Sequence, residues 1–182
     1  PDLDPLMFEN PEVLPEDLPS ADTVEWLALD TNFMRRQLTQ SAIAILTVTV
    51  GVGLLHTIFT FAFAGRNLSF WWLWLVPLLL AVPLVVWPLV SVPRKGYSVR
   101  SHDILFKSGV FWRTVTAVPF NRVQHVEKSS TPLDRKFKLA TLQLFTAGGS
   151  SGDLKIDGFP AKTAEKLRAH ILDEIGMSVE QS

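Results

Sequence analysis

Residues 37–65 and 67–93 contain no Asp, Glu, Lys or Arg, and Arg66 alone separates the two runs. A bilayer's hydrocarbon core takes about 20 apolar helical residues to cross. In lipid a lone segment can meet its backbone hydrogen bonds only as a helix. Each run is long enough, so the sequence predicts a two-helix transmembrane hairpin over 38–93, with spans at about 38–64 and 68–92. In 182 residues, 47% of them hydrophobic, there is room for that hairpin and one small soluble domain.

The net charge of −1 hides a strong asymmetry: residues 1–34 carry nine acidic groups and no Lys or Arg, whereas 94–138 carry ten basic and three acidic groups. An acidic tail and a basic block beside a span are separate physical objects. Residues 1–22 hold five prolines among acidic residues and read as a disordered tail, a solvated leader in preference to a segment that docks on a partner through Leu6, Met7 and Phe8. No basic stretch precedes an early apolar run, so no secretory signal is expected there. With no cysteine there is neither a disulfide framework nor a thiolate site.

Residues 23–37 read as an interfacial helical lead-in. Asp22 or Thr23 is positioned to cap it, and Trp26, Leu29 and Phe33 recur at helical spacing before Arg35 and Arg36. In the first span, Thr49, Gly53 and Thr57 place small side chains on one face for close helix packing, within the hairpin in preference to a subunit interface. His56 is the lone ionisable group in either span, and without a charged partner in the bilayer it makes a poor proton relay. Trp71, Trp72 and Trp74 open the second span and Trp87 lies near its end, as interfacial aromatic belts do. Pro77, Pro83, Pro88 and Pro93 predict kinks in it. Two spans without buried charge offer no substrate pathway. Arg35, Arg36, Arg94, Lys95 and Arg100 flank the hairpin against Arg66 in its turn, which predicts both termini in the cytoplasm.

From residue 94 to 176 the pattern is that of a soluble domain, with 177–182 as a tail. Short β-branched and aromatic strands are expected at 97–100, 103–107, 110–118, 122–128, 139–147 and 154–157, followed by a helix with Ala164, Leu167, Ile171 and Ile175 on one face and Gly176 as its stop. The fold class is thus a membrane α-helical hairpin plus an α+β domain, an antiparallel barrel or sandwich with a helix packed on it.

Pro119, Arg122, Val123, Gln124 and Val126, then Pro132, Leu133 and Arg135, then Leu139, Ala140, Leu142 and Thr146 to Gly149 closely resemble the signature of the bacterial pleckstrin-homology (PH)-like domain of YdbS-type membrane proteins. The resemblance covers residues 23–176 in architecture and departs at Lys138, where the family usually has glycine before Leu-Ala. If that position needs positive φ, Lys138 strains the turn or shifts it by a residue. The resemblance implies a bent antiparallel barrel of about seven strands capped by a C-terminal helix, in a bacterial inner-membrane protein. It implies no catalysis, and membership of multi-subunit assemblies, often with a larger membrane protein bearing several such domains.

Residues 148–152 fit Gly-x-Ser-x-Gly, with Asp157 and His170 following, but a hydrolase needs a helix after the serine and a large parallel sheet. A hairpin loop is expected instead. His102 and Asp103 are adjacent on a strand and point to opposite faces, and His125 and His170 add no metal-ligand spacing. No metal, cofactor or catalytic residue is expected. Nucleic acid is not expected as a partner, since no base-stacking aromatic motif accompanies the basic block.

That block is the one motif with a functional mechanism. Arg94 and Lys95 fix orientation, while Arg135, Lys136 and Lys138 either contact lipid or a partner or form an ordinary charged turn; Arg122 either joins such a contact or, on one strand face with Gln124, holds the barrel together by hydrogen bonds to backbone. The expectation is a non-enzymatic interaction and assembly module, homo-oligomeric or bound to a related membrane protein. The alternatives are a sensor of anionic lipid headgroups and a regulatory subunit of an enzyme or transporter.

Overall fold

The structure, a computed structural model, describes residues 24–64, 70–146 and 154–180. The tail 1–22, the hairpin turn at Arg66 and the loop 148–152 fall outside them. Helix α1 (Thr31–Ala62) has 32 residues, about 48 Å at 1.5 Å per residue against a hydrocarbon core of about 30 Å. The surplus lies at its start, inside the soluble domain. After a 3₁₀ turn at Trp71–Trp74, helix α2 runs Leu75–Ser91. Helix α1 and the second helical segment, Trp71–Arg94, which contains α2, are each long and apolar enough to cross a membrane.

The prolines act less uniformly than expected. Pro77 lies in the first turn of α2, where its missing N–H costs little. Pro83 and Pro88 are interior. Pro88 has no N–H to give the Leu84 carbonyl, and the Ser41 hydroxyl of α1 donates to that carbonyl at 2.7 Å. A freed backbone acceptor in an apolar setting is thereby satisfied across the helix pair.

The lead-in differs from expectation. Residues 24–37 are not one helix: Leu27–Ala28 form strand β1, and α1 is capped by Asp30, whose side chain accepts from the Asn32 N–H at 2.7 Å. Strand β1 pairs antiparallel with β2 (Gly96–Val99), Leu27 opposite Tyr97 and Ala28 opposite Gly96. The hairpin is therefore an insertion between the first two strands of the domain. The four-stranded sheet continues through β3 (Asp103–Ser108) and β4 (Thr114–Pro119). A second sheet holds β5 (Val123–Ser129), β6 (Leu139–Thr146) and β7 (Leu154–Pro160). A short helix α3 (Pro132–Lys136), absent from the sequence reading, links β5 to β6, and α4 (Ala161–Glu180) closes the fold. Helix α4 passes through Gly176, which is not its stop. Strand β4 starts at Thr114, leaving 110–113 in the turn before it.

The core joins both sheets, α4 and the hairpin's two ends. Ile104, Leu142, Leu144, Ile156 and Phe159 from the sheets meet Ala164, Leu167 and Ile171 of α4, and Leu29, Phe33 and Val92 come from the hairpin flanks. Phe33, in the first turn of α1, is 2% exposed. Its ring lies over Gly158 of β7, where φ is +89° and an added Cβ would fall 2.5 Å from the ring. The Lys95 ammonium lies 5.5 Å from the same ring's centroid. A side chain at 158 meets both an unfavourable φ and the ring. Gly158→Ala is expected to cost about 2–4 kcal/mol, read as a lowered denaturant midpoint of the detergent-solubilised protein; an unchanged midpoint would contradict this packing.

Candidate functional site

The base of the hairpin, where α1 and the second helical segment meet the domain, holds an ion pair that joins α1 to the domain. On one side stands α3. Its sequence Thr131-Pro132-Leu133-Asp134 forms a capping box, with the Thr131 hydroxyl accepting from the Asp134 N–H at 3.1 Å and the Asp134 carboxylate accepting from the Thr131 N–H at 2.9 Å. The Thr131 hydroxyl also donates to that carboxylate at 2.6 Å. The other carboxylate oxygen accepts from Arg36 Nε of α1 at 2.8 Å, with side-chain exposures of 18% for Arg36 and 8% for Asp134. Arg36 also donates to the side chains of Gln37 and Gln40. Burial pushes the Asp134 carboxyl up, but the Thr131 bonds and the Arg36 guanidinium outweigh it and hold it below the usual carboxylate range. Arg36 is thus a docking residue, a role that its position before an apolar run did not reveal.

The pair fixes where the basic turn sits. Arg135, Lys136 and Lys138 are exposed and flank Asp134, so they lie beside the start of α1. Lys138 has φ +57°, as its place in a glycine position implied. It terminates α3 as a left-handed C′ residue, its N–H donating to the Arg135 carbonyl at 3.1 Å and its carbonyl accepting from the Ala161 N–H at 2.9 Å. Holding a side chain there costs about 1 kcal/mol relative to glycine.

Of the other residues singled out in the sequence, only Arg94 and Lys95 lie at this base. Arg122 lies in a 3₁₀ turn at Phe120–Arg122, not on a strand face with Gln124, and is exposed. Arg94 ends the second helical segment and donates to the Val90 carbonyl. Lys95 is half-buried over Phe33. Among Thr49, Gly53 and Thr57, Gly53 sits toward Trp74, whose ring would be 3.8 Å from a Cβ there. Thr49 is half-buried, and Thr57 is exposed with its hydroxyl on the Gly53 carbonyl. The contact face therefore runs through Ser41, Gly53 and His56, whose ring packs 5.4 Å from Trp71.

Two antiparallel sheets closed by a C-terminal helix and carried on two long apolar helices define a PH-like domain built around a membrane hairpin. A family model described as a bacterial PH domain matches residues 33–175, and the chain belongs to that family. It is 39% identical over 75 residues to the UPF0699 transmembrane protein YdbS of Bacillus subtilis (strain 168), a stretch that is 41% of this chain and 45% of that protein. The match therefore spans less than half of that relative's length. No solved structure matches. The chain is a membrane protein with a bacterial PH-like domain.

Because the folded Asp134 carboxyl titrates below its unfolded value of about 3.9, the pair stabilises the protein above that pH and is lost as pH falls through the lower, folded value. Asp134→Asn is expected to lower stability at neutral pH by about 2–4 kcal/mol and to flatten the acid limb of the stability profile below about pH 4. Denaturant titrations at stepped pH check this, and parallel acid limbs in the two proteins would contradict it.

Proposed function

We propose that this chain is a non-enzymatic, two-span protein of the bacterial inner membrane whose PH-like domain lies on the cytoplasmic side as an interaction and assembly module. The β1–β2 pairing supports the same-side reading, because it ties both ends of the hairpin to one sheet edge. Arg35, Arg36, Arg94 and Lys95 at those ends supply the positive-inside bias.

One observation carries the assembly reading. Arg135, Lys136 and Lys138 are exposed and form no ion pair among the described residues, on a domain held firmly to its hairpin, whereas Arg122 stands apart at the other end of β5. An unneutralised basic surface of fixed geometry suits a partner of complementary charge. The resemblance to YdbS-type proteins points to a related membrane protein bearing several PH-like domains, or to further copies of this chain. In mild detergent the purified protein is expected at a mass above that of the monomer, or together with such a partner from native membranes. A monomer by mass measurement with no membrane partner would overturn the proposal.

A second reading, recognition of anionic headgroups by Arg135, Lys136 and Lys138, is favoured by the Arg36–Asp134 pair, which sets the basic turn beside the start of the apolar span. Each cation near such a surface contributes about 1 kcal/mol.

A further inference from the structure

Near the end of the second helical segment is a feature that the basic turn does not involve. The β3–β4 turn carries Phe111 and Trp112, 80% and 84% exposed. Large aromatic side chains left this open on a small domain mark a contact surface. The turn's shape is set by Gly109, at φ +114°, where an added Cβ would fall 1.7 Å from the Trp112 carbonyl oxygen. The two rings stand edge to face with centroids 6.5 Å apart.

The sheet register gives the direction in which the turn points. Strand β2 leaves α2 at Gly96 and runs away from the hairpin; β3 returns antiparallel, with Lys107 opposite Gly96. Ser108 then pairs with Thr114, so residues 109–113 extend beyond Gly96 toward the side from which α2 arrives. Three extended residues reach about 10 Å. The base of the turn shares a cleft of about 270 Å³ with the end of the second helical segment, lined by Pro93, Arg94, Lys107 and Arg113 with no acidic side chain. Lys107 is held there by its ammonium, 4.6 Å from the Trp26 ring centroid.

From this placement we infer that the β3–β4 turn inserts Phe111 and Trp112 into the interfacial layer of the bilayer its own helices cross, with Arg94, Lys107 and Arg113 receiving an anionic lipid phosphate. The inference rests on the hairpin spanning that bilayer. Aromatic rings at headgroup depth beside cations are the chemistry that anchors a surface to anionic lipid. The occupant is lipid because the aromatic tip lies on the same side as the end of an apolar helix and shares a cationic cleft with it.

The lack of cysteine allows clean single-site spin labelling of the full chain. Trp112→Cys, Phe111→Cys, Leu54→Cys (exposed on α1) and Lys155→Cys (exposed on β7) would be reconstituted in phosphatidylcholine vesicles with and without phosphatidylglycerol. Collision with oxygen is expected to exceed collision with a water-soluble nickel chelate at 112, 111 and 54, and to be the lesser at 155. In phosphatidylglycerol vesicles, Arg113→Glu is expected to lower the insertion equilibrium at 112 about fivefold or more. Residues 111 and 112 as chelate-accessible as 155, with 54 still in lipid, would overturn the insertion alone. Shielding of 111 and 112 from both reagents would overturn it in favour of a second copy of the chain or another protein. A chelate-accessible 54 would overturn the spanning reading and the insertion with it.

Discussion

The Phe33 ring over Gly158 makes the hairpin and the domain one object. A helix that emerged from a domain through a loop would pivot. Here its first turn is core, its Asp30 N–H donates to the Gly158 carbonyl at 3.4 Å, and Arg36 one turn higher is held by Asp134. The apolar contact and the charged one act at different heights on α1, so together they resist tilting as well as sliding. The charged contact is costly to break, because either partner alone would be left poorly solvated.

Insertion of the hairpin between β1 and β2 follows from the same constraint. Strand β1 has only two residues and would be weak alone, but pairing with Gly96 and Tyr97 draws the two hairpin ends together at one sheet edge. Tyr97 packs edge-on against Phe159, next to Gly158, so the strand that leaves the hairpin reaches the same core as the helix that enters it. Everything exposed at the base, namely the α3 turn beside α1 and the β3–β4 turn beside the end of the second helical segment, inherits a fixed height relative to the apolar spans.

The spans, six of the strands and the stripe on α4 were legible in the sequence because each is a local pattern. A charge-free run, alternation bounded by turn residues, and the spacing of Ala164, Leu167, Ile171 and Ile175 need no knowledge of distant partners. In the lead-in the spacing misleads, because Trp26, Leu29 and Phe33 keep a helical period across a strand, a cap and a helix start. Thr131, Pro132 and Asp134 carry the Thr-Pro-x-Asp signal of a capped short helix. The ion pair of Asp134 with a residue 98 positions away has no local trace. Phe111 and Trp112 look like strand residues until the positive φ of Gly109 turns the chain there.

A fixed hairpin and domain predict a fixed distance between them. Spin labels at Leu46→Cys, exposed on α1, and Glu127→Cys, exposed on β5, would report it by electron–electron distance measurement in bilayers. A single narrow distance distribution, broadened by Gly158→Ala, is the predicted result. A broad distribution in the otherwise unaltered chain would mean that the domain swings freely on its helices.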